Sequence, residues 1–158
     1  MAQSSIDPST DRIKKNVLLK VPRARVWRAL TDAGEFGRWF GVDLAGPFSP
    51  GARVKGKITH PGYESLPFEI TVERVEPERL FSYRWHPYAH DPKVDYSSEP
   101  TTLVVFELQE SAGGTMLTVV ESGFDRIPVA RRAEAYRMND QGWAEQMKSI
   151  ERHVAQGS

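Results

Sequence analysis

Residues 129–156 read VARRAEAYRMNDQGWAEQMKSIERHVAQ, and the spacing of their apolar side chains indicates one amphipathic helix of about 28 residues. Charged residues lie largely off the apolar stripe. We therefore predict that the chain ends in a helix that buries one face against the rest of the protein. Alternating steps of four and three residues place the following positions on that face: Val129, Ala133, Tyr136, Asp140, Trp143, Met147, Ile150 and Val154.

The residues before this helix follow a different period. Residues 68–73 alternate apolar side chains with charged or polar ones, which is typical of a half-buried strand. A glycine-containing turn at residues 110–114 separates two further runs and indicates a hairpin. The pattern predicts about six strands, which cover residues 13–20, 53–60, 68–73, 80–86, 102–109 and 116–122.

Two short helices are predicted after the first strand, at residues 23–31 and 35–40, because Pro22 and Gly34 interrupt the chain there. Residues 41–51 are rich in Gly and Pro and are predicted to form a loop. The order of elements contains no alternation of strands with crossover helices. It therefore predicts an α+β fold in which an antiparallel sheet packs on the C-terminal helix.

Length and composition limit the possible functions. The 158 residues fit a flexible N-terminal lead-in at 1–11 and a single domain at 12–156. Lys+Arg and Asp+Glu both number 21, so no net charge favours nucleic acid. The absence of cysteine excludes thiol nucleophiles and Cys-ligated metals, and it suits a cytoplasmic location. We expect no membrane insertion and no secretory signal, because no long apolar stretch is present.

Residues 21–41, VPRARVWRALTDAGEFGRWFG, resemble the opening of proteins related to the activator of the heat-shock-protein ATPase. The resemblance extends over residues 12–155. It implies membership of the START-like superfamily, also called SRPBCC, which has the fold of the major birch-pollen allergen. The implied α+β fold is a helix-grip, in which a curved sheet encloses the C-terminal helix and leaves a cavity. The other similar pieces, in the same order, are Pro50-Gly51, residues 75–80, 113–118 and 121–124, and Gly142-Trp143.

This resemblance implies a function class without naming a ligand. Members of the superfamily bind lipids, sterols, polyketides or plant hormones, or act as cyclases and aromatases. We predict that the cavity binds an apolar or aromatic small molecule, lipid- or polyketide-like, without a cofactor. One alternative is a cyclase, aromatase or dehydratase acting on a polyketide-like substrate. Another is a protein-interaction module related to chaperone ATPase regulation, which an interior packed solid around Trp85, Trp143 and Met147 would favour.

An aromatic row on one strand supplies the first candidate binding residues. Phe81, Tyr83 and Trp85 share one face, where they would either line a ligand cavity or pack as ordinary core. Inward positions on the neighbouring strands and on the last helix extend the set. The predicted ligand contacts are Phe81, Tyr83, Trp85, Phe106, Val119, Tyr136, Asp140, Trp143 and Met147.

Two carboxylates are candidates for a chemical role. Asp140 falls on an otherwise apolar stripe, so it would need a partner, would orient a ligand together with Tyr136, or would lie at a wet edge. Glu121 shares the parity of Leu117 and Val119. It could therefore face the cavity as a general base, or lie in water at the strand end, or pair with an arginine. These two residues are the catalytic candidates, although the sequence favours binding over catalysis.

The histidines and one long connection complete the set of candidates. Pro87 lies between His86 and His90 and prevents the helical spacing of a zinc pair, so no metal site is predicted. Residues 87–100 are long for a hairpin connection. They could form a lid over the cavity, a dimer contact or a disordered insertion. The oligomeric state, monomer or homodimer, stays open.

Overall fold

The structure of the protein is a computed structural model that describes residues 11–64, 66–91 and 93–156. Most of the predicted lead-in, residues 1–10, therefore lies outside the described residues. Asp11 is described, and its backbone carbonyl accepts hydrogen bonds from the N–H groups of Gly123 and Phe124.

Within the described part of the chain, strands form one antiparallel sheet in the order β1-β7-β6-β5-β4-β3-β2. Each strand pairs with its neighbours in regular register, apart from a shift between Val72 and Arg74 where β4 meets β5. The strands are β1 (Arg12–Leu19), β2 (Val42–Leu44), β3 (Arg53–Ile58), β4 (Pro67–Glu76), β5 (Leu80–Trp85), β6 (Thr102–Ser111) and β7 (Gly114–Ser122). The helices are α1 (Arg23–Thr31), α2 (Ala33–Phe40) and α3 (Val129–Ala155), with a short 3₁₀ helix at Phe124–Arg126.

The predicted α+β helix-grip fold is confirmed, including the long last helix and the two short helices after the first strand. The strand number differs, because the described residues contain seven strands where about six were expected. The additional strand, β2, lies in the predicted loop 41–51. A strand of three residues is too short to show a period. It pairs closely with β3 because Gly56 has no side chain, and a Cβ there would lie 2.1 Å from the Asp43 carbonyl oxygen.

The core lies between one face of the sheet and the three helices. The indole of Trp143 on α3 meets the Phe106 ring of β6 edge-on, with ring centroids 5.7 Å apart. Trp39 on α2 packs in the same way against Phe106 and donates its indole N–H to the Ala29 carbonyl on α1. These aromatic contacts fix the helices against the sheet, because aromatic side chains bury large areas in specific geometries.

The predicted apolar stripe of α3 is confirmed in its C-terminal half. Nearer the start of the helix, Tyr136 packs half-buried against the core, whereas Ala133 and Val129 are exposed. Trp143, Met147, Ile150 and Val154 are buried, whereas Val129 is 77% exposed. The buried face runs back from Trp143 through Asn139 to Ala135 in steps of four residues. A strict repeat of four and three averages 3.5 residues per turn, so it drifts from the real helical face over several turns.

Candidate functional site

A cleft of about 880 Å³ lies between the β2–β3–β4 end of the sheet, helix α3 and the connection that follows β5. Its position depends on how α2 ends. Gly41 takes a left-handed conformation with φ of 92°, which stops the helix after Phe40 and leaves that ring at the cleft. The apolar part of the lining includes Phe40, Val42, Ile58, Leu66, Phe68 and Trp85.

Three aromatic rings form a continuous wall in this cleft. The ring centroids of Phe40 and Phe68 are 5.5 Å apart, those of Phe68 and Trp85 are 5.8 Å apart, and those of Phe40 and Trp85 are 5.9 Å apart. Their inclined, edge-on arrangement is the favourable one for aromatic groups. The wall therefore presents rigid apolar surface to whatever occupies the cleft.

Behind the aromatic wall lies a buried carboxylate, Glu121 of β7, which has no exposed surface. The indole N–H of Trp85 donates to its Oε2 over 2.7 Å, and the Thr102 hydroxyl donates to the same oxygen over 2.6 Å. From α3, the Trp143 indole N–H donates to Oε1 over 2.8 Å, and the Asn139 amide lies 3.0 Å from it. Glu121 therefore joins β5, β6 and α3 through a single side chain.

This arrangement determines what Glu121 can do chemically. A carboxylate offers about four lone-pair positions, and four uncharged donors occupy them. The buried charge is thus stabilised without a hydrogen-bonded cation. Glu121 holds Trp85 and Asn139, which both border the cleft, in fixed orientations. Its present contacts leave no lone pair to accept a substrate proton.

Tyr83 occupies the same row of the sheet as Glu121, because Val104 is the register partner of both residues. Burial raises the pKa of the Tyr83 phenol well above its usual value, and the negative charge of Glu121 raises it further. The phenol therefore stays neutral. Within the described residues, its hydroxyl has no hydrogen-bond partner.

The connection from residue 86 to residue 101 forms one side of the cleft and is attached to α3 by Arg131. The Arg131 guanidinium bonds the Glu99 carboxylate over 2.7 Å and the Pro87 carbonyl over 2.9 Å. It also lies 4.7 Å from the centre of the Tyr96 ring, which is a cation–π distance. The described part of this segment is thus a structured wall, and the lid and dimer-contact interpretations stay predictions.

The structure places the predicted ligand residues in three groups. Trp85 alone among them lines the cleft within the described residues. The others on the sheet, together with Trp143 and Met147, lie in the core behind it, where no cleft contact yet supports a binding role. The buried members are Phe81, Tyr83, Phe106, Val119, Trp143 and Met147.

Tyr136 and Asp140 lie elsewhere on α3. The Tyr136 hydroxyl donates to the Arg12 carbonyl, and its ring packs against Phe124. Asp140 forms an ion pair of 3.0 Å with Lys15, and its side chain is 42% exposed. Neither residue lines the cleft, because the buried face of α3 is turned by one residue from the predicted stripe. Their role in orienting a ligand stays a prediction.

Sequence reasoning missed several polar residues of the cleft. Asn139 and Gln146 project from α3, and His60, His86 and His90 come from the loops. A spacing of four residues back from Trp143 would have indicated Asn139. No group of three metal-ligating side chains comes together within residues 11–64, 66–91 and 93–156.

A second buried carboxylate, Glu35 of α2, lies away from the cleft and is 6% exposed. Arg25 and Arg28 of α1 donate to it over 2.8 and 2.6 Å, and the His153 ring nitrogen on α3 lies 2.9 Å away. Burial alone raises the pKa of Glu35. The hydrogen bonds from His153, Arg25 and Arg28 outweigh that effect and lower the pKa to about 2. This cluster fastens the three helices together.

The protein has one antiparallel sheet that packs over a long C-terminal helix and leaves a cleft beside that helix. This architecture defines a helix-grip protein. Residues 20–155 match the family model described as Activator of Hsp90 ATPase homolog 1-like protein, AHSA1. The chain belongs to this family, which confirms the resemblance stated from the sequence. No helix in the described ranges has the length and apolarity needed to cross a bilayer.

Solved structures give the same fold. Protein MLL2253 from Mesorhizobium loti is 22% identical, with a TM-score of 0.73 over 93% of this chain and 98% of that one. The Aha1 protein from Colwellia psychrerythraea, described as a dimer, is 17% identical, with a TM-score of 0.65 over 89% of this chain and 92% of that one. Both likenesses concern the fold alone.

A third structure is DynU16, described as a putative protein in the dynemicin biosynthetic locus. It is 26% identical, with a TM-score of 0.73, and the match covers 96% of this chain and 49% of DynU16. This chain therefore spans about half the length of DynU16. Comparison with curated protein sequences gives no match.

Proposed function

We propose that the protein binds an apolar or aromatic small molecule in the cleft beside α3. The observation that carries this proposal is the combination of the cleft's volume, about 880 Å³, with the aromatic wall of Phe40, Phe68 and Trp85. Ligand sites for small molecules typically measure about 300–1,000 Å³ and are mainly apolar with a few polar groups. Burial of the ligand's apolar surface would supply most of the affinity, at about 25 cal/mol per Å² before binding costs.

A protein-interaction module is the less supported alternative. Such a module needs no internal cleft, and a solid interior would have favoured it. Trp85 does pack against Trp143, with ring centroids 5.9 Å apart, but an open cleft remains on the other side of Trp85. The observations therefore favour a small-molecule function, for which we expect a cytoplasmic location because the chain has no cysteine.

Catalysis on a polyketide-like substrate is the second candidate function. It draws support from the likeness to DynU16, which is described as belonging to a biosynthetic locus. The position of Glu121 argues against its use as a base, because four donors already hold it. A catalytic version of this proposal would need another group, or a rearrangement of those donors on substrate binding.

Native mass spectrometry of the protein purified from its own host tests the proposal. We expect a retained apolar small molecule, and binding of the neutral apolar dye Nile red to the emptied protein. The variant Ile58→Trp places an indole in the cleft and should abolish both. Lys55→Trp is the matched control, because Lys55 lies on the exposed face of the same strand.

The outcomes separate the candidate functions. The binding proposal would be contradicted if the folded wild type retained no small molecule and also failed to bind Nile red. Equal binding by wild type and Ile58→Trp would contradict the location. If the protein, added in stoichiometric amounts, converts the retained molecule into a product of different mass, the catalytic function would be favoured.

A further inference from the structure

Two amide side chains on the α3 wall of the cleft have fixed hydrogen-bonding directions. The Asn139 Nδ2 group donates to Glu121, and the Gln146 Nε2 group donates to the Phe40 carbonyl over 2.9 Å. A carboxylate and a carbonyl only accept, so neither amide can be turned round. The carbonyl oxygens of Asn139 and Gln146 are therefore left as acceptors, two helical turns apart on one face.

Two histidines that line the cleft are constrained in the same way. Nε2 of His86 lies 3.1 Å from the Glu99 carbonyl oxygen, and Nδ1 of His90 lies 3.2 Å from the Tyr88 carbonyl oxygen. Because a carbonyl oxygen accepts, each of these nitrogens carries the hydrogen. In the neutral ring the other nitrogen, Nδ1 of His86 and Nε2 of His90, is then an acceptor.

The formal charges of the lining have one sign. Glu69, Asp91 and Asp95 line the cleft, and within the described residues no lysine or arginine lines it. Glu69 is paired with Arg53 over 3.2 Å, outside the lining, so the excess negative charge comes from Asp91 and Asp95. Arg131 contacts the same connection, but its guanidinium bonds Glu99 and two backbone carbonyls. The amide oxygens, the histidine nitrogens and the carboxylates give the lining more acceptors than donors. Hydroxyl groups in the lining both donate and accept, so they do not reverse this excess.

We propose that the cleft selects neutral aromatic compounds that carry hydroxyl donors and rejects ligands that carry a carboxylate. The proposal rests on the proposed binding function and specifies its ligand class. Hydroxyl donors on the ligand would satisfy the fixed acceptors, while the ring would pack on the aromatic wall. A carboxylate would face lone pairs and the carboxylates of Asp91 and Asp95, with no lysine or arginine in the described lining to pair with it. Such a mismatch excludes a ligand effectively.

Calorimetric titration of the full chain with three naphthalenes of the same substitution pattern tests this selectivity. The probes are dihydroxynaphthalene, dimethoxynaphthalene and naphthalene dicarboxylate. We expect the diol to bind roughly tenfold more tightly than the dimethyl ether, because only the diol can donate, and the dicarboxylate not to bind. Equal or tighter binding of the ether or the dicarboxylate would overturn the selectivity and leave the binding function standing.

If none of the three probes binds, the proposed ligand class is overturned. The binding function itself is tested separately, by the retained host ligand and by Nile red binding.

The variant Gln146→Met removes one acceptor with little change in shape. It should weaken diol binding about fivefold and ether binding by a smaller factor, because the side chain also holds the Phe40 carbonyl. Glu145→Met is the control on the exposed face, since the Glu145 side chain is 74% exposed. Equal losses for diol and ether in Gln146→Met would overturn the role of its carbonyl oxygen.

Discussion

Two buried carboxylates, Glu121 and Glu35, have opposite surroundings. Glu35 is held by two arginines and a histidine, all on helices. Glu121 is held by two indoles, a hydroxyl and an amide, and none of these groups carries a charge. Cations around Glu35 compensate its charge and lock three helices together. The donors around Glu121 are groups that themselves border or support the cleft, so this carboxylate organises the site.

The variant Glu121→Gln should have the largest effect. An amide nitrogen in place of one carboxylate oxygen cannot accept, so it leaves the indole N–H of Trp85 or Trp143 without a partner, and loss of the charge weakens the remaining hydrogen bonds. We expect a loss of about 4 kcal/mol in the free energy of unfolding, measured by urea denaturation. Glu107→Gln removes an exposed carboxylate on β6 and should change stability by less than about 0.5 kcal/mol. Similar stabilities for the two variants would show that the donors do not depend on Glu121.

The variant Glu35→Gln should cost less, about 3 kcal/mol at neutral pH, and should change the pH dependence of stability. The pKa of Glu35 is about 2 in the folded protein, below its ordinary value of 4.5. Its contribution is therefore fully present above pH 4.5 and is lost as the pH falls through 2. Unfolding measured across this window should be less pH-dependent in the variant than in Glu151→Gln, an exposed control on α3. Parallel curves would contradict the ion-pair assignment.

Of the three variants, Trp85→Phe should have the smallest effect on stability. It is also the variant that tests the cleft wall directly. It keeps an aromatic ring but removes the indole N–H that donates to Glu121. We expect a loss of about 2 kcal/mol and weaker Nile red binding, because the wall is no longer held in place. Trp27→Phe is the control, since Trp27 does not line the cleft. Unchanged dye binding would mean that Glu121 does not position the cleft wall.

Sequence reasoning succeeded where the structure repeats a short-range period. The alternation in residues 68–73 lies within β4, and the two runs flanking residues 110–114 became β6 and β7. The short strand β2 was not predicted, because its pairing depends on the close approach of the β2 backbone to Gly56 of β3. Asn139 was missed because positions three and four residues before Trp143 lie on either side of its direction on the helix, and the repeat assigned only position 140 to the buried face.

The sequence by itself determined the order of the elements and the family, and it placed Glu121 on the same parity as Leu117 and Val119, since all of these depend on local spacing or recurring motifs. Only the tertiary structure decided what surrounds that carboxylate. Its donors Trp85, Thr102 and Trp143 lie 36, 19 and 22 residues away along the chain. The cleft likewise exists because α2, the sheet end and α3 meet in space. Spacing along a chain fixes which way a side chain points, whereas packing between distant elements fixes what it meets.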